Sequence, residues 1–278
     1  MHSVPARLLP LTLFPVIQMT LFGFSCFLVK FHLAWATVCV VASGIVLNFT
    51  IHVWVHECLH LSDRHPFSGW ANLLISSVSG LTFDGYRFHH HNHHSHNNGT
   101  GDFSRTWRMT DEGPAPCNLW RYVLSWPIQA IRTSRALKSI SPTSIHIQQL
   151  RKRIRGEFCA ILGLILCLGC YSWKFAALYA VMIYIGWALV SLHNYGQHPP
   201  MEAESTPSYK SRWYNCLFFN NGLHYEHHAD PSKPWYELRN APCAPQIHEP
   251  YLISPLRSHL KDGPLQEQQT KLQRGNNI

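Results

Sequence analysis

Long apolar runs alternate with polar segments along the chain, and four of these runs are candidates for membrane-spanning helices. Residues 8–29 are apolar apart from Gln18, and residues 33–55 form a second apolar stretch. Each is long enough to cross about 30 Å of hydrocarbon as a helix, and the short link between them predicts a tight hairpin. Residues 157–173 and 175–192 predict a second hairpin, whose short first arm borrows residues from the preceding amphipathic segment or is tilted less. The pattern predicts an all-α integral membrane protein with four transmembrane helices in two hairpins.

Positive charge predicts the orientation of these spans. The two hairpin turns carry one lysine each, Lys30 and Lys174, whereas segments 56–157 and 193–278 hold most of the 23 lysines and arginines. Segments rich in Lys and Arg stay on the cytoplasmic side of a membrane. Both long segments, both termini and all three histidine-rich runs are therefore predicted to lie in the cytoplasm.

The remaining composition sets limits on domains and partners. We expect one membrane domain over residues 1–260 and a disordered tail over 261–278, which is polar and rich in Gln and Asn. The net charge of +8 is not accompanied by a groove-reading motif, so no nucleic-acid partner is expected. Basic residues that flank spans are better explained by attraction to anionic lipid headgroups and to acidic partner proteins.

Histidine clusters are the strongest chemical signal in the sequence. Eleven of the 20 histidines fall in three short runs, HECLH at 56–60, HHHNHHSH at 89–96 and HYEHH at 224–228. Imidazole is the commonest protein metal ligand, and helix residues three or four apart share a face. The recurring units are His56 and His60, then His90, His93 and His94, then His224, His227 and His228. A polar tract or a purification tag could account for the middle run alone, so the three runs together predict a metalloenzyme.

The number of histidines bears on the kind of metal site. His56 to His60 also satisfies HExxH, in which Glu57 would activate a zinc-bound water in an intramembrane zinc protease. One zinc takes three protein ligands and a water, which leaves at least five clustered histidines without a role. Two adjacent ions would use them all and keep positions open for oxygen. Iron is the favoured metal, because open nitrogen-rich sites support dioxygen activation.

Two further positions extend the predicted site along the helices. Asn48, His52, His56 and His60 recur every four residues and form a polar stripe on the second span. His52 either orients a ligand from one turn deeper or is a hydrogen-bonded interhelical histidine. Asn194 and His198, also four apart, would face the same site if the last span continues.

The motifs as a set resemble a known superfamily. HECLH, YRFHHHNHHSHNNGTGD, HNYGQHPP and NNGLHYEHHADPSKPW are similar, in order and spacing, to the histidine boxes of the integral-membrane di-iron fatty acid desaturase and hydroxylase superfamily. The first box resembles the acyl-lipid desaturase form, and the region around His224 also resembles bacterial carotenoid ketolases. The resemblance implies that Asn194 holds a metal-bound water and that the iron ligands are His56, His60, His90, His93, His94, His198, His224, His227 and His228.

The resemblance also implies that the four spans lie under a cytoplasmic helical cap carrying the histidine boxes, and it implies neighbours for the ligands. Arg87 stands where the family often has a basic residue, with cap packing and substrate binding as alternative roles. The acidic residues expected to accept from the ligands' other ring N–H groups, or else to be ordinary surface carboxylates, are Glu57, Asp102, Glu226 and Asp230. His89, His91 and His96 match no ligand position and are expected to be solvated.

The predicted activity follows from the same resemblance. It implies an oxidoreductase that uses O2 and external electrons to introduce a double bond into a fatty acyl chain carried on a lipid, an acyl carrier protein or coenzyme A. The chain has no Rossmann fingerprint and no ferredoxin-type cysteine set, so a ferredoxin or a small cytochrome is the implied electron donor. The alternatives on the same scaffold are a carotenoid ketolase or hydroxylase and an alkyl-chain hydroxylase or decarboxylase.

Overall fold

The chain is an all-α membrane protein with four candidate spans, as the hydropathy pattern predicts. The computed structural model describes residues 8–62, 68–141, 144–198, 206–209, 211–240 and 246–247. The predicted polar tail at 261–278 lies outside the described residues.

Eleven helices and two small sheets make up the described part of the chain. The helices are α1 (Leu13–Leu28), α2 (Leu33–Phe49), α3 (His56–Ser62), α4 (Gly69–Ser79), α5 (Phe83–His96), α6 (Leu119–Leu124), α7 (Trp126–Ser139), α8 (Ile145–Tyr171), α9 (Trp173–Gln197), α10 (Arg212–Leu217) and α11 (His224–Ala229). The strands are β1 (Trp107–Thr110), β2 (Gly113–Pro116), β3 (Ser208–Tyr209) and β4 (Gln246–Ile247). β1 pairs antiparallel with β2, and β3 pairs parallel with β4.

Three of the four spans are longer than the apolar runs that predict them, and the first, Leu9–Leu28, lies within its predicted run. A 3₁₀ turn, Leu9–Thr12, extends α1 at its start, and a π-helical segment, Thr50–Val55, joins α2 to α3 in one span of 30 residues, Leu33–Ser62. α8 begins at Ile145, within the polar segment expected to lengthen the short third run, and α9 continues to Gln197. The extra turns contain His56 and His60 of the second span and Asn194 of the last, which all lie beyond the predicted apolar runs.

Close helix contacts hold α2 against α9 in the centre of the bundle. A Cβ at Gly186 would lie 2.5 Å from the Leu47 side chain, and one at Gly44 would lie 2.8 Å from Ile185. Small residues at such positions let backbones approach in membranes, where packing rather than water exclusion drives association. Leu47 and Met182 are fully buried in this core.

α4 ends inside the bundle of spans. Its last carbonyls accept hydrogen bonds from span side chains: Ser77 from the Tyr179 hydroxyl (2.6 Å), Val78 from Gln18 Nε2 (3.0 Å) and Ser79 from Trp187 Nε1 (2.8 Å). Gln18 lies at the middle of the span Leu9–Leu28, so this contact gives the one amide side chain of that apolar run a partner. An 11-residue helix is about 16 Å long, roughly half of a hydrocarbon core of about 30 Å. α4 is thus too short to cross a membrane, and its last carbonyls are satisfied by protein, as a membrane interior would demand.

A left-handed glycine reverses the chain at the end of α4. Gly80 has φ +72° and donates its N–H to the Ser76 carbonyl, so Leu81 and Thr82 lead directly into α5. α5 then bears three of the box histidines. Asp84 at its start accepts from Arg153 Nε at 2.6 Å, which ties α5 to α8.

Candidate metal centre

Nine buried or half-buried histidines gather into two groups. Within each group the ring nitrogens lie within 4.8 Å of one another. The first group is His56, His60, His90, His94 and His227, and the second is His93, His198, His224 and His228. These are the nine positions at which the sequence predicts metal ligands.

Each HxxHH box is divided between the two groups by helical geometry. Residues i and i+4 of a helix are about 40° apart around the axis, whereas i+3 and i+4 are about 100° apart. On α5, His90 and His94 enter the first group while His93 turns to the second. On α11 the assignment is reversed: His224 and His228 enter the second group and His227 the first. Each of these two helices therefore contributes to both groups.

The distances between facing nitrogens fit a shared ion. Nε2 of His90 lies 3.0 Å from Nε2 of both His60 and His94, and His198 Nε2 lies 2.9 Å from His224 Nε2. Two imidazole nitrogens about 2.1 Å from one ion and at right angles to each other are about 3.0 Å apart. The donor set therefore fits first-row transition-metal ions, with more nitrogens in the first group than a tetrahedral zinc site takes.

Several of these nitrogens are buried without a hydrogen-bond partner among the described residues. The affected atoms of the second group are His93 Nε2, His198 Nδ1, His224 Nδ1 and His228 Nε2, and in the first group His94 Nδ1 has no partner. A buried polar atom that is not hydrogen-bonded costs about 1–3 kcal/mol. A metal ion coordinated by His93 Nε2 and His228 Nε2 would give both atoms a partner and remove that cost.

Burial favours the neutral imidazole that a metal needs. Burial, followed by repulsion from neighbouring histidines, lowers the pKa of His90, His224, His227 and His228 well below the usual value. The same causes lower the pKa of His94 to about 2. Neutral rings keep a lone pair available for coordination.

His93 is oriented by a carboxylate, as the sequence predicts for Asp102. His93 Nδ1 lies 2.8 Å from Asp102 Oδ2, and the Ser104 backbone N–H and hydroxyl both donate to Asp102 Oδ1 at 2.8 Å. Although burial raises the pKa of Asp102, the charge and hydrogen bond of His93 and the bonds from Ser104 outweigh it and hold that pKa below its usual range. The ionised carboxylate makes Nδ1 the donor, so the unpartnered Nε2 carries the lone pair.

Asn194 is held near the second group by the loop that also contains Asp102 and Ser104. Its amide Nδ2 donates to the Ser104 carbonyl at 3.1 Å and to the Tyr122 hydroxyl at 2.6 Å, and that hydroxyl donates to the Ser104 carbonyl. These bonds fix the side chain and leave its carbonyl oxygen as the group that could accept from a water.

The other predicted neighbours have different surroundings. Ser208 donates to the buried Glu226 carboxylate. Arg87 lies 3.8 Å from Asp84 on the preceding turn, which fits cap packing, one of the two roles considered for it. The Asp230 carboxylate accepts from Ser232 at 2.7 Å. Glu57 is buried beside His56 at a cavity wall.

A polar cluster beneath the first group includes a histidine that the sequence analysis did not single out. The rings of His52 and His193 lie 4.6 Å apart, and His193 contacts Asn48 at 3.5 Å and the Tyr214 hydroxyl at 3.3 Å. His52 therefore packs as an interhelical histidine against His193. Asn48 and His52 lie four residues apart on one face of the second span, and this polar face was the sequence signal for a polar partner on another span.

The three histidines outside the ligand pattern differ from one another. His91 and His96 are exposed, as expected. The expectation of a solvated His89 is wrong, because His89 Nδ1 bonds the Thr133 hydroxyl of α7 at 2.8 Å and burial lowers its pKa to about 4.

A cavity adjoins the first group. Its polar lining includes His52, Glu57, Asn221 and Lys233, and its walls include Phe218, Phe219, Trp235, Val53 and Leu238 next to His56 and His227.

Four spans and two groups of converging imidazoles define a multi-pass membrane protein with a site suited to metal binding. Among protein families, the fatty acid desaturase family matches residues 31–252, about four-fifths of the chain. The chain belongs to the fatty acid desaturase family. No individual protein of curated function matched the chain.

Proposed function

We propose that this chain is a di-iron oxidoreductase that introduces a double bond into a fatty acyl chain, using O2 and electrons from an external carrier. The observation that carries the proposal is the sharing of each HxxHH box between two nitrogen groups, which fits two adjacent ions. Family membership supports the acyl substrate and the membrane setting. The reaction balances as –CH2–CH2– + O2 + 2e⁻ + 2H⁺ → –CH=CH– + 2H2O.

The proposed ligands are the nine histidines of the two groups, and Asn194 is proposed to hold a water by its side-chain oxygen. Two bound irons would supply the redox chemistry that lets O2 remove hydrogen from an unactivated C–H bond. The protein contributes position and exclusion of water. Asp102 fixes the tautomer of His93, and burial of the histidines keeps bulk water from the reacting carbons.

The cavity beside His56 and His227 is proposed to receive the acyl chain. Its aromatic walls suit an alkyl group, and Lys233 offers a charge for the polar end of the substrate. The acyl carrier, whether a lipid, an acyl carrier protein or coenzyme A, determines which polar group Lys233 would contact. We also propose that the site faces the cytoplasm, where a ferredoxin or small cytochrome can deliver the two electrons.

The five-histidine group argues against the zinc protease suggested by HExxH. A catalytic zinc keeps three protein ligands and a water, but His56 and His60 are accompanied by His90, His94 and His227. Metal content separates the two proposals, because a di-iron enzyme holds two irons per chain and a protease one zinc.

The decisive experiment expresses the chain with a ferredoxin and its reductase and analyses the cellular lipids by mass spectrometry. New unsaturated acyl species are expected, and two irons per chain in the purified protein. Alcohols, ketones or shortened alkanes instead of alkenes would replace desaturation by oxygenation or decarboxylation on the same scaffold. No product with both irons in place and electrons supplied would refute the proposed activity.

A matched pair of histidine variants tests the ligand set. His227→Ala removes one nitrogen of the first group and should abolish turnover and reduce bound iron. His91→Ala changes the same residue type on an exposed face of α5 and should leave both unchanged. Full activity of His227→Ala would remove that residue from the ligands.

A further inference from the structure

His198 differs from the other three histidines of the second group because no helix sets the direction of its ring. The other three, His93, His224 and His228, lie on α5 and α11. α9 ends at Gln197, and His198 follows it with φ −126° and ψ 80°, which are not helical angles. Helical geometry therefore does not hold its ring in the group.

Within the described residues, the ring of His198 contacts other histidines and has no separate partner that orients it. Its Nε2 lies 2.9 Å from His224 Nε2, and its Nδ1 is buried without a hydrogen bond there. His93, by contrast, has the Asp102 carboxylate on its Nδ1. A ligand histidine is usually oriented by such a bond to its other ring nitrogen. For His198 this leaves the backbone as the means of fixing the ring.

The backbone of His198 is held on both sides by hydrogen bonds. Its N–H donates to the Asn194 carbonyl of α9 at 3.0 Å, and its carbonyl accepts from the hydroxyl of Thr106, 92 positions earlier in the chain, at 2.7 Å. The Thr106 hydroxyl also lies 3.3 Å from Asn98 Oδ1, but that oxygen already accepts the Thr106 backbone N–H at 2.9 Å. Because a hydroxyl has one hydrogen, the shorter contact to His198 takes it.

Thr106 is itself held firmly. It is 0% exposed and directly precedes β1. Its carbonyl accepts from the Cys117 backbone N–H at 2.9 Å, and its own N–H donates to the Asn98 side chain. The Asn98 N–H in turn donates to Asp102 Oδ2, the oxygen that bonds His93, at 2.8 Å. The same loop therefore reaches two ligands of the second group, one through a carboxylate and one through a hydroxyl.

We propose that Thr106 is a positioning residue whose hydroxyl holds His198 in the second group. The inference rests on the proposed function, because it takes the second group to bind an ion. Without the hydroxyl, the His198 carbonyl has no donor among the described residues, and no hydrogen bond to Nδ1 compensates there. The effect should fall on the ion of the second group, since the first group is formed by five other histidines.

The test compares the full chain with its Thr106→Val variant, both loaded with Fe2+ in detergent without oxygen. The iron retained per chain is counted at increasing concentrations of an Fe2+ chelator. Loss of a contact that supports a ligand typically weakens metal binding by about 10–100-fold. One iron should therefore leave Thr106→Val at about tenfold lower chelator concentration than in the wild type, while the other remains bound. Thr106→Ser, which keeps the hydroxyl, should behave as the wild type.

Thr110→Val is the matched control. The Thr110 hydroxyl donates to the Gly113 carbonyl at 2.7 Å within the β1–β2 hairpin, so its loss should leave both irons unchanged. Thr106→Ala serves as a second variant if Thr106→Val does not fold, with the same loss expected. His224→Ala removes a donor of the second group, and adding Thr106→Val to it should not change the affinity for the iron that remains.

Retention of both irons by Thr106→Val at wild-type chelator concentrations would overturn the inference and leave the proposed function standing. So would equal weakening of both irons, an equal loss in Thr110→Val, or a Thr106→Ser variant as weak as Thr106→Val. A wild-type chain that holds fewer than two irons would instead overturn the proposed function, and the inference with it.

Discussion

The hydroxyl of Tyr179 gives a direct test of whether α4 ends at membrane depth. Tyr179→Phe removes one oxygen and leaves the ring, which is 1% exposed in the bundle core. The Ser77 carbonyl then loses its donor within the described residues, and α4 ends two residues later, so no further helical N–H reaches it. Water cannot replace the donor if this carbonyl lies at membrane depth.

Two sets of typical energies set the expected loss in the free energy of unfolding. A buried acceptor left unsatisfied costs about 1–3 kcal/mol, whereas hydrogen bonds between membrane helices average about 0.6 kcal/mol with values up to about 1.7. Because this bond is short and joins a buried tyrosine to a half-buried serine, we expect a loss of about 1–2 kcal/mol in the free energy of unfolding. Equilibrium unfolding in mixed micelles measures it.

Tyr171→Phe is the control for this prediction. It makes the same chemical change at the end of α8, where the side chain is 72% exposed and the Lys30 ammonium over the ring can remain. Its effect should stay below about 0.5 kcal/mol. If Tyr179→Phe were equally mild, the carbonyl would have access to another donor and α4 would not end in a dry environment.

Two other changes test the turn and the orientation of His93. Gly80→Ala forces a Cβ onto a residue with φ +72° and to 2.4 Å from the Ile183 side chain, so it should destabilise the protein by about 1–3 kcal/mol in the same unfolding assay. Gly23→Ala, with nothing within 4 Å, should be neutral or slightly stabilising, and similar effects of the two would contradict the packing at Gly80. Asp102→Asn removes the carboxylate that holds His93 Nδ1–H and should weaken metal binding by about 10–100-fold in a chelator competition. Asp111→Asn, an exposed carboxylate, is its control; unchanged affinity in Asp102→Asn would mean that His93 is oriented by other contacts.

Hydropathy predicted the number and order of the spans because their apolar runs meet the length needed to cross a bilayer. It did not predict α4, since an 11-residue helix is too short to span. The available signals were a short apolar stretch, GWANLLISSVSG, and a lone Gln18 that needed a partner at mid-span. Neither signal alone says which helix end the glutamine meets, because that contact joins residues 60 positions apart.

Spacing identified which histidines converge, but the sequence analysis did not divide them between two groups. The division follows from the angle between His93 and His94 on one helix and between His227 and His228 on another, once helical phase is applied within a box. His193 was missed because no second histidine accompanies it at helical spacing. Its partners, Asn48, His52 and Tyr214, come from other helices.

The division of each box has a mechanical consequence. α5 and α11 each contribute histidines to both groups, so turning either helix about its own axis moves donors in both groups at once. A displacement of either helix therefore perturbs both groups of histidines, and we expect a ligand bound in one group to stabilise the positions of the donors in the other.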